Sequence, residues 1–173
     1  MQVVWRKQNP GQKLKEGTQL QKKDLIKYFS KDLFIPLLKA KTKDASFNEF
    51  ANLFVKSKLI RKKDIVLEML HRRETLGSTG IGKGVAIPHG RTTAALEVKI
   101  AFGKSEKGID FDAIDKKKVQ LIFLVLAPPH DENNRYLPVL GKLVEVLSKS
   151  VNRKQLLKVE TYEEFIHVFE GAT

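Results

Sequence analysis

The chain contains no cysteine, which removes disulfides, thiolate metal sites and cysteine nucleophiles together and fits a reducing compartment. Long apolar runs are absent as well. The longest candidate, Val119 to Pro129, falls well short of the roughly 20 residues that a membrane-spanning helix requires. The opening stretch Met1-Gln2-Val3-Val4-Trp5-Arg6-Lys7 has no apolar segment long enough for a secretory signal. The expectation is a cytoplasmic protein with no membrane span. Acidic residues are in short supply: 20 Asp and Glu stand against 32 Lys and Arg, a formal net charge of +12. That balance predicts attraction to something acidic, whether a phosphorylated protein, a nucleic acid or an anionic membrane. Aromatic residues make up only 8% of the chain, with one Trp. None interleave with the basic clusters at Lys13 to Lys23, Lys56 to Lys63 and Lys116 to Lys118 as a nucleic-acid motif would require. Nucleic acid is therefore not an expected partner, and the lysines read as a solvated surface. No histidine and carboxylate cluster has metal-ligand spacing, so neither a metal nor a cofactor is expected.

The remaining composition is that of a globular protein, 42% apolar and 30% charged over 173 residues, enough for one domain with a substantial core. Residues 1–22 hold Pro10, Gly11 and Gly17 among lysines and glutamines and show no sustained apolar period. They read as a flexible basic arm before a domain over 23–173, with Trp5 as a docking residue or ordered edge. The run Leu33 to Leu38 suits a strand, with Pro36 placing it at a sheet edge. Ser46 to Leu59 reads as a helix with a Ser46/Glu49 capping box and Phe47, Phe50, Ala51 and Phe54 on one face. A second helix is expected from Lys62 to Arg73, with Ile65, Met69 and Leu70 turned inward and an end before Gly77. Val98 to Phe102 and Val119 to Leu126 read as buried strands. A helix from Arg135 to Ser148 is expected to bury Leu137, Leu140, Leu143, Val144 and Leu147, with Pro138 tolerated in its first turn. Thr161 and Glu164 form a capping box for a closing helix that buries Phe165, Val168 and Phe169. Strands and helices in this alternation predict an α/β (α+β layered) domain, a mixed β-sheet flanked by helices.

The segment Gly77-Ser78-Thr79-Gly80-Ile81-Gly82-Lys83-Gly84-Val85-Ala86-Ile87-Pro88-His89-Gly90 carries the chemistry, and two mechanisms compete for it. Gly77, Gly82 and Lys83 stand at P-loop spacing, but Gly84 occupies the position that needs Ser or Thr for Mg²⁺. The loop also passes from a helix into a strand rather than the reverse, so no helix N-terminus faces a phosphate. The other mechanism is a backbone cradle. Gly80, Gly82, Gly84 and Gly90 permit close backbone approach, and Ser78 and Thr79 offer hydroxyl donors beside His89, which lies just beyond the strand that stops at Pro88. A histidine with an ordinary pKa of about 6.5 is largely neutral near pH 7 and can offer one nitrogen to an incoming phosphorus while the other is held by an acceptor. Arg73 and Arg91 flank the segment as cations that can neutralise the transferring group.

These residues, Arg73-Glu74, then Gly77 to Gly82, then Val85 to Gly90, with Phe111-Asp112-Ala113-Ile114-Asp115 beyond them, closely resemble the phosphorylation-site signature of the mannitol and fructose class of enzyme IIA domains. That class belongs to the phosphoenolpyruvate-dependent sugar phosphotransferase system, and the Gly-Ser-Thr-Gly-Ile-Gly version of the loop is similar to that of the nitrogen-regulatory enzyme IIA proteins. The resemblance covers Lys23 to Gly171. It implies the enzyme IIA fold, phosphate acceptance on His89 from the histidine phosphocarrier protein, and a phosphate-holding role for Arg73. Onward transfer to an enzyme IIB or a regulatory target protein is implied in turn. A second active-site histidine is usual at the start of the helix after the Ala-Pro segment, and Tyr136 stands there. A phenol donates a hydrogen bond but carries no positive charge near neutral pH, which favours a regulatory carrier over a high-flux transport component. The chain is thus expected to be a phosphotransferase-system carrier with a phosphohistidine intermediate. The other function class considered is a non-catalytic protein- or nucleic-acid-binding module that keeps the fold and uses the basic arm and Trp5. His71 and His167 are expected to be solvated, and Asp112 and Asp115 to belong to a turn.

Overall fold

The computed structural model describes residues 19–171. The arm expected over 1–22, and Trp5 with it, lies outside the described residues through residue 18. Leu20 is already buried in the core and Lys22 Nζ donates to Asn152 Oδ1 at 3.2 Å, so the packed chain begins before Lys23.

After a 3-10 helix at Lys22–Tyr28 and another at Lys31–Leu33, the elements run β1 (Phe34–Ile35), α1 (Lys43–Lys56), α2 (Lys63–Thr75), β2 (Gly80–Gly82) and β3 (Val85–Ala86). There follow β4 (His89–Arg91), β5 (Lys99–Ile109), β6 (Val119–Ala127), α3 (Tyr136–Ser148), α4 (Ser150–Leu156) and α5 (Tyr162–Glu170). The sheet is mixed, as expected, in the order β1-β5-β6-β3-β2, with β4 also paired to β6. β5 and β6 are antiparallel, whereas β1 runs parallel to β5 and both β3 and β4 run parallel to β6.

β6 is buried on both faces, which explains its unbroken apolar sequence. Leu121, Phe123, Val125 and Ala127 pack with α3, α4 and α5, where Phe29, Phe102, Phe123, Phe165 and Phe169 form an aromatic cluster. Ile122, Leu124 and Leu126 point the other way, into a second core with Phe47, Phe50, Phe54, Val66 and Leu70 of α1 and α2. The alternation follows from the two-residue period of a strand.

Several expected details change. Only two residues of Leu33 to Leu38 form a strand. Pro36, with no N–H to give, ends the ladder at the sheet edge, and contact resumes at Leu38, whose N–H donates to Lys104 O at 2.7 Å. The Ser46/Glu49 capping box does not form, because α1 starts earlier. Thr42 is its N-cap, accepting from Ala45 N, while Ser46 is buried and Glu49 accepts from the N–H groups of Lys39 and Ala40. In α2 it is Val66 and Leu70 that are buried, whereas Ile65 is 42% exposed. In α3 Leu137 and Val144 are exposed, and Tyr136, Val139, Leu143, Val146 and Leu147 face inward. The Thr161/Glu164 capping box at α5 forms as expected, with Phe165, Val168 and Phe169 buried.

Candidate functional site

β4 brings His89 to the C-terminal end of β6, with His89 opposite Val125 and Arg91 opposite Ala127. His89 therefore lies inside a short strand rather than just past one. Pro88 separates β3 from β4, and its carbonyl still accepts from Val125 N at 2.9 Å. The half-buried ring is held from two sides. Its Nδ1 lies 2.6 Å from Ile87 O, and its Nε2 lies 3.3 Å from Arg73 Nε. A carbonyl oxygen only accepts and a guanidinium only donates. Nδ1 therefore carries the proton and Nε2 presents the lone pair. The ring's pKa is lowered from the ordinary value, first by burial and further by the Arg73 charge, while the bond to Ile87 and the Glu74 carboxylate work in the opposite sense. A neutral ring with its Nε2 lone pair turned to Arg73 has the protonation state that a nucleophile needs.

Arg73 owes its position to a close helix-to-strand approach. A Cβ on Gly90 would fall 1.8 Å from Met69 Sδ, so the glycine leaves room for the Met69 side chain of α2 to lie against β4. One helical turn after Met69, Arg73 reaches His89 and also donates through Nη1 to Gly77 O at 3.0 Å. Glu74, noticed in the sequence only as part of a motif, ties the site together. Its carboxylate accepts from Thr79 N at 3.1 Å, from Thr79 Oγ1 at 2.8 Å and from Lys43 Nζ at 3.0 Å. Two helices and the glycine-rich loop thus converge on one side chain. The signal available in sequence was its adjacency to Arg73 at the end of a helix.

The glycine-rich loop serves mainly to build this frame. Ser78 Oγ donates to Phe111 O at 2.5 Å and accepts from Gly80 N, and the Thr79 hydroxyl is buried on Glu74. Both hydroxyls expected as phosphate donors are thus already committed to the fold. Gly80 and Gly82 pack on the 111–115 turn, where a Cβ on Gly80 would meet Ala113 Cβ at 2.8 Å. Gly82 and Gly84 adopt φ of +87° and +76°, a region that side chains other than glycine rarely occupy. Asp112 pairs with Lys116 within the turn, whereas Asp115 accepts from Lys117 N and from Lys83 N and so ties the turn to the glycine-rich loop.

Tyr136 opens α3 with its N–H donating to Asp131 Oδ2 at 2.7 Å, and its ring centroid lies 6.4 Å from that of His89. Arg91 lies with its guanidinium 4.6 Å from the Tyr136 ring centroid. Burial raises the Tyr136 phenol above its ordinary pKa, and Arg91 and then Arg73 oppose that rise. The phenol is thus neutral, with two cations close by. His130 is exposed, and His71 and His167 are half-exposed or more and lie beside Asp44 and Glu170. Among the described residues no group of three or more His, Asp or Glu side chains is placed to hold a metal ion, and no helix is long and apolar enough to cross a membrane.

The mixed sheet flanked by helices is the fold of solved enzyme IIA structures. Residues 27–172 match the family described as the phosphoenolpyruvate-dependent sugar phosphotransferase system EIIA 2, and the chain belongs to that family. It is 35% identical over 121 residues to a nitrogen regulatory protein homolog of Haemophilus influenzae, covering 68% of this chain and 73% of that one. It is 32% identical over 131 residues to the fructose-specific EIIABC component of Bacillus subtilis, covering 76% of this chain but 20% of that protein. Among solved structures, the nitrogen regulatory protein IIA-Ntr of Neisseria meningitidis superposes with a TM-score of 0.75 at 34% identity, covering 83% of this chain and 97% of that one. The IIA mannitol protein of Escherichia coli, at 21% identity and a TM-score of 0.67 over 81% of this chain and 97% of that one, shares the fold.

Proposed function

We propose that this chain is a cytoplasmic phosphoryl carrier, accepting phosphate on Nε2 of His89 from the histidine phosphocarrier protein and acting in a regulatory rather than a sugar-transporting role. The observation that carries the reading is the pair of bonds on His89, which protonates Nδ1 and leaves Nε2 with its lone pair beside Arg73.

In the transfer, Nε2 attacks phosphorus in line, the P–N bond to the donor histidine breaks, and the donor ring recovers its electron pair. No proton needs to leave. Nδ1 keeps its hydrogen, and the positive charge that the ring gains strengthens its bond to the Ile87 carbonyl. Arg73, which holds Nε2 in the free state, is then available to the phosphoryl oxygens, so the side chain that orients the ring also neutralises the group that arrives. Positioning and charge stabilisation supply the catalysis, and no cofactor is called for.

The regulatory role rests on the relatives named as nitrogen regulatory proteins at 32–36% identity and on the neutral Tyr136 beside the acceptor. The onward acceptor is an enzyme IIB or a regulatory target protein. Incubation with phosphoenolpyruvate, enzyme I and the phosphocarrier protein, followed by intact mass, tests the core of the proposal. One acid-labile phosphoryl mass is expected on the native chain and none on His89→Ala. No gain from a donor shown to be active would instead favour a binding module that keeps the fold.

A further inference from the structure

We propose that Arg91 is a second phosphoryl-holding cation, positioned for that task by the ring of Tyr136. The inference rests on phosphate acceptance by His89.

Strand geometry comes first. His89 and Arg91 are two residues apart on β4, so their side chains leave the same face, while Gly90 between them turns to Met69 of α2. On the face they share, the Tyr136 ring lies 6.4 Å from the His89 ring and 4.6 Å from the Arg91 guanidinium. Arg91 is tethered by Nη1 alone, to Pro128 O at 3.4 Å and Pro129 O at 3.2 Å, both long for hydrogen bonds. Its other N–H groups make no side-chain hydrogen bond among the described residues, and no carboxylate there lies within ion-pair distance of Arg91 or Arg73.

Charge balance completes the case. Two guanidinium groups and a neutral imidazole surround one phenol, so the site holds uncompensated positive charge against a nucleophile. A phosphoryl group on Nε2 brings negative charge and three acceptor oxygens to that spot. Arg73 meets it from α2 and Arg91 from β4. Tyr136 carries no charge of its own, and its part is to hold the Arg91 guanidinium over its ring, as cation–π contacts do. Because both cations are arginines, neither loses its charge across physiological pH.

The test is the phosphotransfer equilibrium between the phosphocarrier protein and the full chain, read by intact mass, together with the ³¹P chemical shift of the phosphorylated protein. Arg91→Gln is expected to shift the equilibrium toward the donor by about tenfold or more, the fold-change that the loss of one charge-assisted bond brings, and to move the ³¹P signal. Arg91→Lys should recover part of that loss, keeping the charge but not the fork. Tyr136→Leu, which frees the guanidinium, should lose part of the effect, and Tyr136→Phe, which keeps a ring beside Arg91, should lose less than Tyr136→Leu. Arg91 is exposed, so the Arg91 variants should melt with the parent. A folded Arg91→Gln chain with unchanged equilibrium and unchanged ³¹P shift would overturn the proposal. A wild-type chain that takes no phosphoryl group would overturn the reading beneath it and this one too.

Discussion

The two nitrogens of His89 are made different by their partners, and that difference has consequences for titration. Burial holds the ring below its ordinary pKa. As pH falls through about 6.5 the unfolded chain takes up a proton that the folded ring still refuses. The unfolded state then binds more protons, so stability falls with falling pH from about 6.5 down to the folded pKa, and His89 costs the fold nothing above that window. Melting curves of wild type and His89→Gln between pH 5 and 8 should therefore diverge on the acid side, with the variant lacking this part of the slope. An NMR titration placing the His89 ring above 6.5 would contradict the arrangement. Arg73→Ala should slow phosphate acceptance at least tenfold, the scale of a lost charge-assisted bond, while the chain stays folded. An unchanged rate would remove Arg73 from the chemistry.

At the scale of elements, the turn at 111–115 acts as the floor of the glycine-rich loop. Gly80→Ala should cost about 1–3 kcal/mol, the usual range for overpacking, because its Cβ would meet both Cβ and Cα of Ala113. The denaturation midpoint measures it, and an unmoved midpoint would mean that the turn yields freely. Such tightness also explains what could be read in advance. The continuous apolar run of β6 and the Thr161/Glu164 box depend on residues near in sequence, and both stood as expected. Contacts decided from far away were less visible. The inward faces of α2 and α3 were set by the side chains each meets in its core, such as Phe47 of α1 and Phe123 of β6, so Ile65, Leu137 and Val144 remain exposed. α4, only seven residues long, has too few apolar positions to show a period. At the site, the motif singled out His89 and Arg73, which the fold brings into contact, whereas the hydroxyls of Ser78 and Thr79 looked like ligand donors. Their partners, Phe111 O and Glu74, only become neighbours when α2, the loop and the 111–115 turn come together.

On the scale of the whole molecule, the excess of 32 Lys and Arg over 20 Asp and Glu repels itself in the compact state. Raising salt from about 10 mM to about 150 mM shortens the Debye length to about 8 Å and should raise Tm. A fall would mean that ion pairs such as Lys43 with Glu74 outweigh the repulsion. The two cores on either face of β6 hold β4, α2 and α3 at fixed distances, and that rigidity delivers Arg73, His89 and Tyr136 to one place. The most direct test is a long-range ¹H–¹⁵N spectrum of the histidine-labelled chain before and after phosphorylation by the phosphocarrier system. His89 should start as the Nδ1–H tautomer, and phosphorylation should move its Nε2 resonance while the other three histidines stay in place. Phosphate on Nδ1, or on any other histidine, would contradict the site as described.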